Sequence, residues 1–159
     1  MVMPLDAQSL RRVIGHFPTG VGVVTTRSET GSIHGLTANA VTSVSLVPPL
    51  LLICIDKKAR SLLHLERSGI FTVNILAAGQ EELSRRFATS GGEKFEGVSY
   101  RVGDNGAPLL EGAVGYLECS VWARHEAGDH VIFLGQVERA EARRSDPLVF
   151  FRGRYRMLD

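Results

Sequence analysis

The stretch that decides the fold of this chain runs from Gly35 to Ser61 and reads GLTANAVTSVSLVPPLLLICIDKKARS. Small and hydroxyl-bearing residues fill its first part, the pair Pro48-Pro49 interrupts it, and a run of apolar residues leads to a short basic cluster. Such a continuous apolar run is typical of a strand that lies inside a sheet, with neighbours on both sides. Apolar surface, hydroxyl groups and cations within one segment suit a flat ligand that carries phosphate.

Short β-branched and apolar runs, separated by turn-forming residues, occur on both sides of this stretch. Helical patterns are few and do not alternate regularly with strands, which argues against a parallel sheet with crossover helices. The sequence therefore predicts a mainly β (α+β) fold, an antiparallel barrel with peripheral helices. The predicted strands cover residues 19–26, 33–40, 50–56, 71–76, 98–102, 113–124, 130–140 and 148–155.

Three short helices are predicted at the periphery of this barrel. Residues 6–17 place apolar side chains at helical spacing, so we expect an amphipathic helix, capped by Asp6, whose apolar stripe packs on the body. Ser61 is predicted to cap a second helix that ends at Ser68-Gly69. Residues 80–88 are predicted to form the third helix.

Length and composition predict one globular domain over residues 1–159. Hydrophobic residues make up 44% of the chain and charged residues 22%, which is ordinary for a globular domain. The formal net charge of +1 gives no field that would favour nucleic acid or an anionic membrane. The N-terminal segment has no apolar signal-peptide region. Cys54 and Cys119 lie in apolar runs, so we expect free buried thiols and a reducing cytoplasm.

Two short patterns suggest known motifs but fail on their context. His125-Glu126 followed by His130 has one residue too many for a zinc-protease helix, and Gly128-Asp129 between them predicts a turn. The pair Gly20-x-Gly22 lacks the third glycine and the following helix of a dinucleotide fingerprint. No other histidine or cysteine cluster has ligand spacing, so no metal site is predicted.

The basic cluster and two single residues are candidates for chemistry. Lys57, Lys58 and Arg60 follow a predicted strand and precede a predicted helix, where cations and free backbone N–H groups converge on anions; a solvated surface loop is the alternative. Asn74 stands in an apolar strand, where a buried amide needs partners. His130 follows a hairpin turn, and its residue type alone carries little information.

Taken together, the motifs of this chain resemble the flavin reductase-like family, the small reductase components of two-component flavin-dependent monooxygenases. The resemblance extends from about Leu10 to Tyr155, and its strength lies in the order and spacing of many weak motifs. These motifs are Gly15-His16-Phe17-Pro18-Thr19-Gly20-Val21, Gly35-Leu36-Thr37-Ala38-Asn39, Thr42-Ser43-Val44-Ser45-Leu46, Pro48-Pro49-Leu50, Cys54-Ile55-Asp56-Lys57, Phe71-Thr72-Val73-Asn74-Ile75-Leu76, Arg86-Phe87-Ala88, Lys94-Phe95, Gly128-Asp129-His130 and Arg152-Gly153-x-Tyr155.

The resemblance implies an antiparallel Greek-key FMN-binding split barrel that works as a homodimer. Family members oxidise NADH or NADPH, reduce FMN or FAD, and release the reduced flavin to a partner flavin-dependent oxygenase. The implied flavin-binding residues are Thr37, Ala38, Asn39, Ser43, Val44, Ser45, Cys54, Ile55, Asp56, Lys57, Lys58, Ser61, Asn74, Arg86 and Phe87.

Each implied segment has a role by its position in the family. Residues 37–39 border the flavin ring, while residues 43–45 and 54–61 hold the ribityl chain and the phosphate. Arg86 and Phe87 lie near the phosphate or the adenylate part of FAD. His130 orients the nicotinamide and is the implied catalytic residue. Tyr155 belongs to the C-terminal segment associated with the pyridine nucleotide.

One departure from the family pattern leaves the identity of the flavin open. Ala40-Val41 stands where many relatives have Ser-Phe, which removes a hydroxyl group and an aromatic ring beside the flavin. Two other functions are considered: a flavin-binding electron carrier without turnover, and an oxidase of the pyridoxamine-phosphate oxidase type. The motifs around His130 and Tyr155 favour the reductase over both.

Overall fold

The computed structural model describes residues 4–158 of the chain, which contain three helices and twelve strands. The helices are α1 Ala7–Ile14, α2 Ser61–Ser68 and α3 Glu81–Ala88. The strands are β1 Thr19–Gly20, β2 Gly22–Arg27, β3 Ile33–Ala38, β4 Val41–Leu46, β5 Pro49–Asp56, β6 Ile70–Ile75, β7 Tyr100–Val102, β8 Pro108–Leu110, β9 Gly115–Ala127, β10 His130–Ala142, β11 Val149–Phe151 and β12 Arg154–Arg156.

Seven antiparallel strands form the main sheet, in the order β3-β2-β6-β9-β10-β5-β4. Side chains from β2 and β3, at one end of this sheet, share a core with Leu51, Ile53 and Ile55 of β5, near the other end. The sheet therefore curls around one apolar interior, which confirms the predicted antiparallel barrel. The strand β5 lies between β4 and β10, as predicted from its apolar run.

The two prolines lie where the chain turns from β4 into β5. In this hairpin Val41 pairs with Ile53, and Leu46 pairs with Pro49. The hairpin of β9 and β10 turns at Gly128, whose φ of 62° is in the left-handed region that glycine adopts at little cost. This second hairpin carries His130 at the start of β10.

The C-terminal segment differs from its prediction. Residues 148–155 are not one strand: β11 and β12 form a hairpin, and β11 also pairs with β1. Arg152 and Gly153 form the turn, with φ values of 51° and 74°. Two consecutive residues with positive φ are characteristic of the tight turns that match the twist of a hairpin.

The helices confirm their predicted positions, but two details were wrong. Asp6 caps α1 by accepting a hydrogen bond of 2.7 Å from the backbone N–H of Ser9. The apolar stripe of α1, however, is not packed on the body, because Val13 is 68% and Phe17 is 71% exposed. Ser61 is the first residue of α2 rather than its cap, and no side chain caps this helix.

None of the three helices within residues 4–158 is both long enough and apolar enough to span a membrane.

Candidate functional site

The end of β5 and the start of β10 bring two predicted site segments together. In the ladder between these strands His130 pairs with Asp56. The backbone N–H of Lys57 donates to the carbonyl oxygen of Asp129 at 3.0 Å. The Lys57 ammonium lies 3.4 Å from a carboxylate oxygen of Glu126. The predicted nicotinamide residue and part of the predicted phosphate segment therefore occupy the same end of the barrel.

The predicted ring segment approaches the same end from β3. The exposed residues Asn39 and Ala40 connect β3 to β4, and the Ala40 carbonyl accepts a hydrogen bond of 3.2 Å from the backbone N–H of Cys54. Cys54 is half-buried on β5, two residues before Asp56. The strand ends thus place Asn39, Cys54 and His130 around one region of the surface.

Residues 43–45 do not join the segment 56–61 within one chain, although both were expected at the phosphate. Ser43 pairs with Leu51 and Ser45 pairs with Leu50. Because β5 then continues in the other direction to Asp56, the two segments are about 16 Å apart at roughly 3.3 Å per residue. The prolines fold the segment into a hairpin, but they carry Ser43, Val44 and Ser45 away from the basic cluster.

Basic side chains lie at the N-terminus of α2, an arrangement that can bind an anion. This helix starts without a side-chain cap, so no side chain competes with an anion for its first turn, although the N–H of Leu62 already donates to the Ala59 carbonyl at 3.1 Å. The Lys94 ammonium donates to the carbonyl oxygens of Gly35 at 3.2 Å and Phe87 at 3.1 Å. Burial first, and the neighbouring Arg60 second, lower the pKa of Lys94. Lys94 and Arg60 are therefore two cations held close together.

Arg60 was predicted as part of the basic cluster, whereas Lys94 was not among the predicted binding residues. Lys94 belongs to the loop after α3, and only the packing of this loop beside β3 brings it to α2. The pair Lys94-Phe95 was part of the family pattern, which was the available signal. Arg60 lies against Gly91, where a Cβ would be 3.0 Å from the guanidinium nitrogen Nη1.

A glycine and a phenylalanine shape the floor beneath these cations. A Cβ at Gly35 would lie 2.7 Å from the Cε1 atom of Phe87, so this position requires glycine. Phe87 is 1% exposed and packs edge-on against Phe95, with ring centroids 4.9 Å apart. The hydroxyl group of Ser61, itself buried, donates to the Gly35 carbonyl at 3.3 Å.

Three of the predicted binding residues are at most 1% exposed. Asn74 is fully buried: its amide nitrogen donates to the Val23 carbonyl at 3.0 Å, and its oxygen accepts from the N–H of Leu110 at 2.7 Å. Ile55 and Phe87 are also buried in the core. Contrary to the prediction, these side chains pack in the interior beneath the site and are not accessible to a ligand.

A chain of hydrogen bonds connects the C-terminal hairpin to the ring segment. The Thr37 hydroxyl donates to the Ser84 carbonyl at 2.6 Å, and the Ser84 hydroxyl lies 2.8 Å from that of Tyr155. The Arg85 guanidinium lies 5.4 Å from the centroid of the Tyr155 ring. Tyr155 thus holds β12 against α3. The Arg86 guanidinium donates to the loop carbonyl of Glu96 at 2.6 Å.

Asp129 orients the ring of His130. The Nδ1 atom of His130 lies 2.7 Å from a carboxylate oxygen of Asp129. This hydrogen bond is the main reason why the pKa of Asp129 is lowered. With Nδ1 as the donor to this carboxylate, Nε2 is the nitrogen left for a ligand, and the side chain is 43% exposed.

Thiol and metal chemistry find no support at this site. Burial raises the pKa of the Cys54 thiol, which disfavours the nucleophilic thiolate. Within residues 4–158, no three His, Cys, Asp or Glu side chains are grouped so that they could hold a metal ion.

The fold defines a class of protein: an antiparallel split barrel with three peripheral helices. A family profile described as "Flavin reductase like domain" matches residues 14–159. The chain belongs to the flavin reductase-like family.

Several known proteins of this family are similar to the chain over nearly its full length. The NADH-dependent FAD reductase of Streptomyces globisporus is 45% identical, with 98% of this chain and 88% of the relative aligned. The reductase component of 4-nitrophenol 4-monooxygenase/4-nitrocatechol 2-monooxygenase from Rhodococcus opacus is 38% identical, with 98% and 83% aligned. The solved structure of NADH:FAD oxidoreductase SgcE6 from Streptomyces globisporus C-1027, in complex with NAD and FAD fragments, has a TM-score of 0.93 and 44% identity, covering 100% of this chain and 96% of that one.

A stacked histidine pair connects α2 to β3 beside the anion-binding arrangement. The rings of His34 and His64 are nearly parallel, with centroids 3.5 Å apart. Burial first, and the neighbouring His64 second, lower the pKa of His34. A proton on one ring disfavours a proton on the other, so acid weakens this contact.

We predict that the His34–His64 pair makes the protein less stable in acid. Because the folded-state pKa of His34 lies below its unfolded value of about 6.5, the unfolded chain binds the proton first. The free energy of unfolding should therefore decline as the pH falls below this value. Urea unfolding at pH 7 and pH 5.5 should show a smaller decline for His34→Gln than for the wild type. His125→Gln, at an exposed position, is the control; equal declines in all three proteins would contradict the prediction.

Proposed function

We propose that this chain is an NAD(P)H-dependent flavin reductase, which transfers a hydride from NADH or NADPH to FMN or FAD and supplies reduced flavin to a partner oxygenase. The observation that carries the proposal is the meeting of three elements at one end of the barrel. These are the exposed Asn39–Ala40 segment, the uncapped α2 terminus with its cations, and His130 paired with Asp56.

The exposed surface and the charges of the site suit a flavin. The bend at residues 39–40 and the half-buried Cys54 offer an apolar, open surface to a flat ring. The N-terminus of α2, together with Arg60, Lys94 and Lys58, suits a phosphate because it combines the helix dipole with cations. The NADH-dependent FAD reductase among the relatives supports NADH and FAD as the pair of reactants.

The nicotinamide and flavin rings supply the redox chemistry, a hydride transfer that turns NAD(P)H, flavin and a proton into NAD(P)⁺ and reduced flavin. The task of the chain is to bind the two rings face to face at contact distance and to exclude water between them. His130, held by Asp129, orients the nicotinamide through Nε2. A general base is not required, because the donated hydride leaves no proton to remove from the nicotinamide.

A steady-state assay tests the proposed function against the two alternatives. With excess FMN or FAD, a reductase consumes NADH continuously, whereas a carrier shows a single stoichiometric bleaching of its flavin. An oxidase of the pyridoxamine-phosphate type would instead consume oxygen when it is given pyridoxamine phosphate as the substrate. A protein that oxidises neither NADH nor NADPH would overturn the proposal.

The oxygenase partner and the homodimer are parts of the same proposal. The name of the Rhodococcus opacus relative, a reductase component of a monooxygenase, supports the partner. A homodimer is supported by an apolar sheet face that the chain leaves open. Leu50, Leu52 and Cys54 of β5 alternate with core residues and lie beside Ile132 and Leu134 of β10; all five are half-buried.

Further exposed apolar residues extend this open face. Val44 is 49% exposed and Trp122 is 55% exposed, while Leu46 and Val47 at the β4–β5 turn are 88% and 91% exposed. Continuous apolar surface of this kind marks protein–protein contacts. In such a dimer, the Ser43–Ser45 segment of the second copy would lie against the first copy.

A single domain over residues 1–159 remains a prediction, as does a cytoplasmic location, which the two free cysteines support.

We predict that Arg60 binds the flavin phosphate and that Lys57 contributes less. Arg60→Ala should raise the dissociation constant of FMN by about tenfold to a hundredfold, since a charge-assisted hydrogen bond contributes about 1.5–3 kcal/mol. The affinity for riboflavin, which has no phosphate, should change by less than about twofold. Lys57→Ala is the matched control, because the Lys57 ammonium already faces Glu126. Titration of flavin fluorescence measures the dissociation constants of FMN and riboflavin for the wild type and both variants, and equal losses for the two flavins would contradict this role.

We predict that His130 orients the nicotinamide. His130→Ala should lower kcat/KM for NADH by up to about a hundredfold, because a misplaced ring rarely reaches contact distance. His130→Gln should recover part of this loss, since its amide can still donate a hydrogen bond. Flavin affinity should stay unchanged in both variants. Wild-type kcat and KM for NADH in His130→Ala would show that this role is wrong.

We predict that the open sheet face is the dimer interface. Leu134→Glu should convert the dimer to a monomer in light scattering, because a charge buried in the interface lacks a partner. Val102→Glu replaces an apolar side chain that is 53% exposed outside this face, and it should leave the mass unchanged. A wild-type protein that is monomeric at micromolar concentration would contradict the proposed dimer.

A further inference from the structure

A chain of ion pairs connects the loop before α2, the strand β9 and the helix α2. The Lys57 ammonium lies 3.4 Å from Oε2 of Glu126, and the Arg124 guanidinium lies 3.4 Å from Oε1 of the same carboxylate. The Nε atom of Arg124 also lies 2.7 Å from Oε1 of Glu66 on α2. Each oxygen of Glu126 therefore faces one cation, and Arg124 connects the pair of Lys57 and Glu126 to α2.

Strand pairing places this ion pair on the face of the sheet that α2 covers. Val131, which is fully buried, is the cross-strand partner of both Glu126 on β9 and Ile55 on β5. Directly paired residues point to the same face of a sheet, and Leu65 of α2 packs in the same core as Val131 and Ile55. Lys57 and Glu126 thus lie beside the helix whose N-terminus is the proposed phosphate site.

The backbone around Lys57 is fixed, so only its side chain can change partner. The N–H of Lys57 donates to the Asp129 carbonyl at 3.0 Å. The Asp56 carboxylate accepts from the N–H of Lys58 at 2.8 Å, and the Asp56 carbonyl accepts from the N–H of Ala59 at 2.9 Å. The lysine ammonium is a compact charge on a flexible stem. An ammonium drawn to Glu126 is therefore less available to a phosphate at the N-terminus of α2.

Glu126 remains ionised and competes with other anions for Lys57. Hydrogen bonding to Lys57 first, and to Arg124 second, lowers the pKa of Glu126. The side chains of Lys57 and Glu126 are 39% and 64% exposed, so water screens their attraction and a phosphate can displace the carboxylate. Such a pair weakens phosphate binding without abolishing it.

We propose that Glu126 limits the affinity of the site for the flavin phosphate by holding the Lys57 ammonium, and so keeps the flavin exchangeable. This inference deepens the proposed function and rests on it. A reductase that supplies reduced flavin to another protein has to release its product in every turnover, and differences in affinity are mostly differences in dissociation rate. Glu126 acts on the flavin through Lys57 and is a positioning residue.

The experiment removes the charge of Glu126 and keeps the size of its side chain. In Glu126→Gln the dissociation constants of FMN and FAD should fall by about three- to fivefold, the upper part of the range for an exposed ion pair, while that of riboflavin, which has no phosphate, should change by less than about 1.5-fold. Fluorescence titration measures the three constants, and stopped-flow displacement should show FMN dissociating more slowly by the same factor. Loss of folded structure cannot imitate a gain in affinity.

A double-mutant cycle assigns the gain to Lys57. In the wild-type background Lys57→Ala should change the dissociation constant of FMN by less than about twofold, because Glu126 already engages the ammonium. In the Glu126→Gln background the same substitution should remove the whole gain, since the two residues act as one unit.

Glu141 offers a matched control at the opposite end of β10 from His130. Its carboxylate also lies between two guanidinium groups, those of Arg101 and Arg143, and its side chain is 46% exposed. Glu141→Gln therefore removes the same charge from the same kind of arrangement. It should leave the dissociation constants of FMN and FAD unchanged.

Three results would overturn the inference. Unchanged constants for FMN and FAD in Glu126→Gln, or an equal gain for riboflavin, would show that Glu126 does not limit phosphate binding. A gain that persists without Lys57 would show direct repulsion of the phosphate by Glu126. A wild type that binds riboflavin as tightly as FMN and FAD would show that the phosphate adds no affinity to limit. Because the titrations contain no NADH, a protein that binds flavin but oxidises neither NADH nor NADPH is a failure of the proposed function, which is a different outcome.

Discussion

The closure of the curled sheet is the constraint on which the rest of the structure depends. The core side chains of β2 and β3 pack against those of β5, and the hydrogen bond from Cys54 to the Ala40 carbonyl fastens the two regions at 3.2 Å. Without this closure, Asn39 and His130 would belong to distant strands. With it, both lie at one end of the barrel. The hydrophobic effect that buries Ile53 and Ile55 therefore also assembles the proposed site.

The tertiary structure also brings cationic side chains together. The helix α2 lacks a cap, which leaves polar groups that an anion can satisfy, and loop packing brings Lys94 to this terminus. The protein reaches this arrangement with a formal net charge of only +1.

Much of the fold could be predicted from local patterns, because β-branched runs, turn glycines and the Asp6 cap act over a few residues. The predictions that failed required knowledge of distant neighbours. Asn74 was expected at the flavin from the family resemblance, but the partners of its buried amide include backbone groups of β2 and β8. The stripe of α1 was expected in the core, yet Phe17 remains 71% exposed on one chain. A single sequence does not reveal whether an apolar face is covered by its own chain or by another.

By itself, the sequence determined the antiparallel barrel, the central position of β5, the family, and the residue types of the proposed site. These follow from periodicity and from the order of motifs along the chain. Only the tertiary structure decided which of these residues meet. Strand register separated Ser43 from Asp56 and paired Asp56 with His130, because side-chain contacts across a sheet are set by pairing between strands that are far apart in sequence. Loop packing likewise added Lys94, whose neighbours no local pattern could specify.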